Sequence, residues 1–235
     1  MPDHTLQTIG ILGAGKVGTG IARQALKAGY EVKIATARPP GEIRLIVEYT
    51  APGAIAASAD DVMGSSDLVI LAIPLDRYRT LDARGLAGKV AIDVMNYWAP
   101  TDGQLDEFEG ALSSTVVQRH LRDTKLVRTL NHVGYHELVE NALPAGAPGR
   151  QALAVAGDDP DARRLAGEFV DRLGFDPVDA GALRNASAFD IGTPIFGARL
   201  TRSAMQANLK ATTTSLTEHQ APDWFEDDRS FLLRA

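Results

Sequence analysis

Three glycines near the start of the chain have the spacing of a nucleotide-phosphate site. They lie in the segment Gly13-Ala14-Gly15-Lys16-Val17-Gly18, which reads G-x-G-x-x-G. In such a segment the first glycine makes a tight turn, the second lets the backbone approach a pyrophosphate, and the third lets the helix lie close to the strand. The helix N-terminus then offers free N–H groups to the phosphates. We therefore predict a dinucleotide site here, with Lys16 adding positive charge.

The end of the second predicted strand indicates which dinucleotide is bound. NAD is usually held at this point by an Asp or Glu that hydrogen-bonds the ribose 2′-hydroxyl, and a carboxylate would repel the 2′-phosphate of NADP. Residues 32–40 contain no acid, whereas Thr36 offers a hydroxyl and Arg38 a guanidinium suited to phosphate. We predict that the cofactor is NADP(H), with Thr36 and Arg38 on its 2′-phosphate. The alternative is that Arg38 is a solvated loop residue.

Strand-like and helix-like segments alternate through most of the chain and would position this site. Helical patterns follow the glycine segment and recur at residues 58–63 and 160–173, the last with Asp159 as a cap. Alternating β and α units predict an α/β fold of the Rossmann type with a doubly wound parallel sheet. Apolar runs predict its strands at residues 8–12, 31–36, 67–74, 89–96, 125–131, 150–157 and 176–181.

After Gly181 the alternation stops, and the rest of the chain reads as a short C-terminal helical extension. Residues 182–211 indicate helices that are broken at Gly192-Thr193-Pro194. We predict an NADP-binding Rossmann domain at 1–181, and a helical segment and tail at 182–235 that completes the substrate crevice or a dimer interface. The tail is too apolar to stay solvated, so we expect it to pack on this chain or on the partner subunit of a homodimer; its apolar residues are Trp224, Phe225, Phe231, Leu232 and Leu233.

Composition excludes several classes of protein. The formal net charge of −6 over 235 residues argues against a nucleic-acid-binding surface, because there is no basic excess to displace counterions. The absence of cysteine excludes disulfides, thiolate catalysis and cysteine-ligated metals. No apolar run approaches the ~18 residues of a membrane helix, and the N-terminus lacks a secretion-signal pattern. We therefore predict a soluble, cytoplasmic protein without a membrane or nucleic-acid partner.

Two later segments, taken with the glycine motif and the loop after the second strand, resemble a known family. They are V-I-L-A-I-P at residues 69–74, and D-A-G-A-L followed by a Thr-Pro segment within residues 178–197. The family is that of the NADP-dependent oxidoreductases typified by the reductases of the deazaflavin coenzyme F420. The resemblance spans roughly residues 9–200, and the D-A-G-x-L and Thr-Pro segments carry most of its specificity.

The resemblance implies roles for residues at the carboxyl ends of the strands, where ligands bind in open α/β sheets. The segment 93–96 would border the crevice, with Asn96 on the cofactor. The residues implied under the ribose and nicotinamide side of NADP(H) are Ala72, Ile73 and Pro74. Those implied to face the second ring system are Asn131, His132 and Val133, with Thr193 and Pro194. The chain departs from the family pattern at Asn131 and Gly134, where the F420 reductases carry histidine and proline.

The activity that the resemblance implies is hydride exchange between NADP(H) and coenzyme F420. Such a reaction needs two stacked rings in a dry site rather than an acid–base residue. Two alternatives remain open. One is reduction of a small carbonyl or imine compound by NADPH, with His132 as the first candidate for the proton donor and Tyr97 and Tyr135 as the next candidates. The other is a non-catalytic module that binds the dinucleotide and senses redox state. No metal site is predicted, because His132 and His136 lack a third ligand nearby.

Overall fold

The structure is a computed structural model that describes residues 6–98, 102–108 and 110–219, and it is built around one sheet. The sheet has eight strands in the order β3-β2-β1-β4-β5-β6-β7-β8. The strands are β1 (Thr8–Leu12), β2 (Glu31–Ala35), β3 (Ile55–Ala56), β4 (Leu68–Leu71), β5 (Val90–Asp93), β6 (Lys125–Arg128), β7 (Ala152–Gly157) and β8 (Asp176–Gly181).

Helices cover the sheet, and none in the described ranges is long and apolar enough to cross a membrane. The α-helices are α1 (Lys16–Lys27), α2 (Pro40–Thr50), α3 (Ala59–Ser65), α4 (Ser113–His120), α5 (Glu137–Glu140), α6 (Pro160–Arg172) and α7 (Arg202–His219). Short 3-10 helices occupy Leu75–Thr80, Asp106–Phe108 and Leu183–Phe189. The predicted tail residues Trp224, Phe225, Phe231, Leu232 and Leu233 lie outside the described residues.

The order of the strands confirms the predicted Rossmann-type fold. Strands β1 to β6 are parallel, and β1 lies between β2 and β4, so the strand order reverses at β1. Chains that bind dinucleotides hold them at the carboxyl ends of the strands beside such a reversal. The sheet therefore places the end of β1, where the glycine segment begins, at the centre of the expected crevice.

The sheet departs from the predicted parallel arrangement at one place, between β6 and β7. Strand β7 runs antiparallel to β6, with Arg128 opposite Ala156, and β8 runs parallel to β7. A parallel connection would need a crossover that returns the chain to the opposite edge of the sheet. Here the residues after β6 stay at its carboxyl edge, where the His132 ring accepts a hydrogen bond from the Ala154 N–H of β7. Strand β7 therefore starts at the carboxyl edge of β6 and runs antiparallel to it.

Local sequence explains where several helices begin. The Ser58 hydroxyl accepts a hydrogen bond from the Asp61 N–H at 3.1 Å, as the spacing of these residues predicts. The Asp159 carboxylate accepts one from the Ala162 N–H at 2.8 Å, and Pro160 takes the first position of α6. Helix α6 then buries an apolar face against the sheet, formed by Ala162, Ala166, Phe169 and Val170.

Several elements, among them α2 and β3, are absent from the sequence-based prediction. Helix α2 begins at Pro40 and buries only Ile43 and Val47 among eleven residues, so its apolar stripe is narrow. Strand β3 contains two residues at the edge of the sheet, too few to form a period. The proline at the start of α2 and the four-residue spacing of Ile43 and Val47 are the signals that could have identified the helix.

The C-terminal extension covers one face of β7 and β8. The interruption predicted at residues 192–194 falls within the stretch 190–201, which separates the 3-10 helix from α7. Extension residues share an apolar cluster with β7 and β8; those from the extension are Ala186, Ala188, Phe189, Ile195, Met205 and Leu209. The division of function between residues 1–181 and 182–235 stays a prediction.

Removal of the Asp159 cap should destabilise the protein measurably. We expect Asp159→Ala to lower the free energy of unfolding by about 1 kcal/mol, because the Ala162 N–H loses its acceptor. The cap lowers the pKa of Asp159, first through the backbone N–H of Ala162 and then through Lys125. The contribution is therefore present above the ordinary aspartate pKa of about 3.9 and is lost as pH falls below it. Urea denaturation at several pH values measures both effects.

The control is Asp161→Ala in the first turn of the same helix. The Asp161 side chain is exposed and lies 3.9 Å from Arg164, so its removal should change the free energy of unfolding by less than about 0.5 kcal/mol. Equal losses in the two variants would show that helix charge, and not the capping bond, accounts for the effect of Asp159.

Candidate dinucleotide crevice

The glycine turn is held by backbone contacts that leave no room for side chains at two positions. Gly13 has φ 125°, and a Cβ there would lie 2.2 Å from the carbonyl oxygen of Ala72. A Cβ on Gly18 would lie 2.1 Å from the carbonyl oxygen of Gly13. The Gly13 N–H also donates to the Ala35 carbonyl at 2.8 Å. The turn is therefore wedged between the ends of β2 and β4, and only glycine fits at positions 13 and 18.

The middle glycine has the opposite surroundings. A Cβ on Gly15 would meet no atom within 4 Å, so the space beside this residue is open. Gly15 is the N-cap of α1, and neither a side-chain capping bond nor an acid in the first turn occupies the helix end. Lys16 and Val17 are exposed and Ala14 is half-buried. The free N–H groups of α1 and its dipole therefore face a space that can hold an anion.

Lys16 lies beside the loop that follows β6. Its Nζ is 5.8 Å from the centre of the Tyr135 ring, within the range of a cation–π contact. The Tyr135 ring in turn contacts the His136 ring, with 3.8 Å between centroids. Tyr135 therefore flanks the opening of the glycine turn.

Thr36 and Arg38 follow β2, next to the glycine turn in the sheet. The Thr36 hydroxyl oxygen accepts a hydrogen bond from the Arg38 N–H at 3.1 Å, which shapes the short loop between β2 and α2. Arg38 is exposed, and its guanidinium makes no hydrogen bond or ion pair within the described part of the chain. A free guanidinium and a hydroxyl hydrogen are thus available at the place where an adenosine ribose would lie.

The segment after β4 forms the other wall of the turn. The Ala72 N–H donates to the Leu12 carbonyl at 2.9 Å, and the Ala72 carbonyl lies against Gly13. Ala72 and Ile73 are half-buried and Pro74 is exposed at the start of a 3-10 helix. The structure thus brings Ala72 and the glycine segment together at the carboxyl edge of the sheet.

A buried ionic network lies at the ends of the next two strands. Asp93 ends β5, Arg128 ends β6, and the two residues are paired in register. Both side chains are fully buried, with 3.0 Å between Arg128 Nη1 and Asp93 Oδ2. Arg128 also contacts Asp190 at 3.3 Å and donates to the Met95 carbonyl. Sequence reasoning did not select Arg128, because an arginine in a predicted strand is ordinarily read as exposed.

Asp93 is held by a full set of donors. Its Oδ1 accepts from the Met95 N–H at 2.9 Å, and its Oδ2 accepts from the Ser114 hydroxyl at 2.9 Å. Burial raises the pKa of Asp93, and the positive charge of Arg128 acts against that rise. Because both side chains are fully buried, we assign the pair a structural role beneath the crevice rather than a part in proton transfer.

Asn96 and Asn131 connect this network to the crevice. The Asn96 Oδ1 accepts from Arg128 Nη2 at 2.9 Å, and its Nδ2 donates to the Asn131 carbonyl at 2.7 Å. Asn131 Nδ2 donates to the Phe189 carbonyl at 3.3 Å. The preceding residue, Leu130, is buried with φ 62°, so the backbone turns sharply after β6. Asn131 is therefore a buried brace, and Asn96 remains half-buried at the carboxyl edge.

His132 is buried at the end of β6, and both of its ring nitrogens are hydrogen-bonded. It is 1% exposed; its Nδ1 bonds to the Asn131 Oδ1 at 3.1 Å, and its Nε2 accepts from the Ala154 N–H at 3.1 Å. An Nε2 that accepts from an amide leaves the single proton on Nδ1. Burial, and then the charge of Arg128, lowers the pKa of His132 to about 3. The hypothesis that His132 donates a proton is therefore not retained, because both ring nitrogens are occupied and the ring is neutral.

The remaining predicted substrate residues divide between the interior and the crevice edge. Val133 is buried in the apolar core next to β1 and β5. The Thr193 hydroxyl donates to the Asp190 carbonyl at 2.8 Å, whereas Pro194 is exposed. The Gly197 N–H donates to the His132 carbonyl at 3.0 Å, which fastens this stretch to the end of β6. Thr193 and Pro194 are thus attached near the network, and Val133 acts in the core.

The sheet and the glycine turn define a Rossmann-type dinucleotide-binding protein. Residues 8–97 match the model of the family described as NADP oxidoreductase, coenzyme F420-dependent. The matched range contains the glycine turn, Thr36, Arg38, the segment 72–74 and Asn96. The predicted resemblance to this family is therefore confirmed over residues 8–97, which contain β1 to β5.

Comparisons with individual proteins agree with this fold. A hypothetical protein of Sinorhizobium meliloti has a TM-score of 0.72 and 26% identity, and the match covers 83% of this chain and 95% of that chain. A protein of Arthrobacter sp. FB24, provisionally assigned as an F420-dependent NADP reductase, has a TM-score of 0.66 and 24% identity, over 91% of this chain and 94% of that chain. Metalloreductase STEAP3 of Rattus norvegicus is 24% identical over 181 residues, or 76% of this chain and 34% of that protein. The chain spans about a third of the length of the curated relatives it matches.

The burial of His132 predicts a specific dependence of stability on pH. The unfolded chain holds this residue at a pKa near 6.5, whereas the folded pKa is about 3. Its contribution to stability is therefore complete above pH 6.5 and is lost progressively as pH falls towards 3. At about one pH unit below 6.5 the loss should reach about 1.4 kcal/mol. The stability difference between wild type and His132→Gln should shrink by that amount between neutral and mildly acidic pH, as measured by urea denaturation.

The matched control is His136→Gln. His136 is exposed four residues away, so its replacement should leave the pH dependence of stability as in wild type. An identical response of wild type and His132→Gln to pH would show that His132 is protonated as readily in the folded protein as in the unfolded chain.

Proposed function

We propose that this protein is an NADP-dependent oxidoreductase that exchanges a hydride between NADP(H) and the deazaflavin coenzyme F420. One observation carries the proposal: the open glycine turn and the guanidinium of Arg38, which has no partner among the described residues, both lie within the segment 8–97 that matches the F420-dependent NADP oxidoreductases. The provisional assignment of the Arthrobacter protein supports the choice of F420 as second substrate.

The residues around the turn fit NADP(H). The pyrophosphate would lie in the open space at Gly15, against the N–H groups of α1 and close to Lys16. Arg38 and the Thr36 hydroxyl would bind the 2′-phosphate, and the stretch 32–40 has no carboxylate to repel it. The segment 72–74 would contact the ribose on the nicotinamide side, next to Gly13.

The half of the crevice at the ends of β4 and β5, called here the ring half, would hold the reacting rings in a dry site. NADP(H), when bound, supplies or receives the hydride. The chain supplies orientation, from half-buried side chains at the ends of β4 and β5 and from Asn131, Thr193 and Pro194 beside them. A proton donor is not required for exchange between two such rings. The neutral, fully engaged state of His132 therefore favours F420 over a carbonyl or imine substrate.

Removal of the Arg38 side chain should change the choice of dinucleotide. We expect Arg38→Ala to weaken NADP binding about ten- to a hundred-fold, because a charge-assisted bond to phosphate is worth roughly 1.5–3 kcal/mol. NAD binding should be unchanged, since NAD carries no 2′-phosphate. Arg44→Ala removes an exposed guanidinium from α2 and should leave both affinities as in wild type. Equal affinity of the wild type for NAD and NADP would contradict the assignment.

Mixing the protein with NADPH and F420 tests the reaction itself. The oxidised deazaflavin absorbs visible light and the reduced form does not, so turnover should bleach the solution. Gly15→Ala should fold normally, because its Cβ meets no atom of the protein, yet it should lose turnover, because the methyl group would take the space of the pyrophosphate. If Gly15→Ala bleaches the coenzyme as fast as wild type does, the cofactor binds elsewhere.

The same assay separates the alternatives. NADPH oxidation with carbonyl or imine compounds, and none with F420, would establish a small-molecule reductase that takes its proton from a residue other than His132. Tight NADPH binding without turnover would establish a redox-sensing module.

We also propose a cytoplasmic homodimer. The apolar residues of the tail and the absence of cysteine motivate this proposal. Sedimentation of the full chain and of a chain that ends at residue 219 tests the dimer. A monomer in both cases would contradict it.

A further inference from the structure

We propose that Asn96 is a specificity residue of the ring half of the crevice, and that Arg128 is the positioning residue that fixes its carboxamide. In this arrangement Asn96 presents an N–H to a carbonyl oxygen on a bound ring. The inference rests on the proposed function, since it assigns the chemistry that the same crevice recognises.

The orientation of the Asn96 carboxamide follows from its neighbours. A guanidinium can only donate hydrogen bonds, so the Asn96 atom that lies 2.9 Å from Arg128 Nη2 must be the oxygen. The same oxygen lies 3.4 Å from Asn131 Nδ2, a second donor. The amide nitrogen therefore points the other way, and one of its hydrogens bonds to the Asn131 carbonyl at 2.7 Å.

The second hydrogen of the Asn96 amide is the one that would bind a ligand. It has no partner within the ranges that the structure describes, although Asn96 is only half-buried. Asn96 lies three residues past β5 at the carboxyl edge, and β5 is on the opposite side of β1 from Arg38. Because a dinucleotide lies across the strand reversal, with adenosine on the Arg38 side, the ring half falls towards β4 and β5. Asn96 thus offers a fixed donor there.

A fixed donor at this position selects an acceptor. The two rings of the proposed reaction each carry one, namely the carboxamide oxygen of nicotinamide and a carbonyl oxygen of the deazaflavin. A site built to donate discriminates against a ligand that lacks the acceptor, because the ligand would cover the N–H and leave it unpaired. The shared chemistry is therefore a ring carbonyl, and the two sources are separated by experiment.

Arg128 meets the conditions for a positioning residue. Its guanidinium is fully buried and anchored by Asp93 at 3.0 Å and Asp190 at 3.3 Å, so its Nη2 cannot swing away from Asn96. Because it is fully buried and donates to Asn96, it would act on a bound ring through that side chain. The buried ion pair therefore holds the orientation of one carboxamide at the crevice edge.

Three ligands test the inference: adenosine 2′,5′-bisphosphate, NADP+ and F420. The bisphosphate reports only on the Arg38 side of the crevice. Asn96→Ala removes the donor, and Asn96→Asp replaces it with an acceptor of the same shape. Both variants should bind the bisphosphate as wild type does. We expect NADP+ binding, or the KM for F420, to weaken about ten-fold in Asn96→Ala and more in Asn96→Asp.

The affected ligand identifies the source of the carbonyl. A loss confined to NADP+ would place nicotinamide on Asn96, and a loss confined to the KM for F420 would place the deazaflavin there. If Asn96→Ala matches wild type for both ligands, or loses the bisphosphate to the same extent, the inference is wrong. If wild-type protein binds neither the bisphosphate nor NADP+, the proposed function is wrong, and the inference that rests on it is wrong as well.

A double-mutant cycle tests the role of Arg128. Arg128→Lys should weaken the same ligand as Asn96→Ala, because a lysine cannot hold both Asp93 and Asn96. In the Asn96→Ala background the further effect of Arg128→Lys should disappear. Circular dichroism and bisphosphate affinity report whether each variant retains its fold. Additive effects on ring binding would show that Arg128 acts only on stability, and would overturn its positioning role.

Discussion

The close backbone contact between the glycine turn and the end of β4 is the constraint on which the crevice depends. Two absent side chains, at Gly13 and Gly18, allow the ends of β1, β2 and β4 and the start of α1 to meet within a few ångströms. That meeting point sets where the helix dipole is aimed and how far the Arg38 loop lies from the segment 72–74. A methyl group at either glycine would overlap a carbonyl oxygen. Such a change would therefore displace the strand ends, the start of the helix and the anion site at the same time.

Much of this half of the molecule could be predicted from sequence because its signals are local. The glycine spacing, the missing acid after β2 and the caps at Ser58 and Asp159 all act within a few residues of one another. Sequence reasoning failed where long-range contacts decide the outcome. Strand β7 runs antiparallel to β6, and its residue Ala154 bonds to His132, which lies 22 positions earlier in the chain; nothing in the apolar run at 150–157 indicates this pairing.

The substrate half shows the same contrast. A histidine at a strand end resembles a catalytic residue in sequence, and only the burial of His132 and its two bonded nitrogens show that it braces β6 against β7. Arg128 and Asp93 are separated by 35 positions, and their pairing follows from register between adjacent strands. A buried ion pair of this kind is weak as a source of stability. Its presence beside the crevice is better explained by the geometry that it imposes on Asn96.

The sharp turn at Leu130 has a consequence for any attempt to engineer this protein. A left-handed backbone costs a leucine about 1–2 kcal/mol, whereas burial of its side chain returns about 1.5–3 kcal/mol. Glycine would relax the chain but leave a hole in the core, and asparagine would suit the torsion but bring an amide among apolar neighbours. The position is therefore a compromise between two demands that no single amino acid meets, and directed evolution for thermostability should find little to gain there.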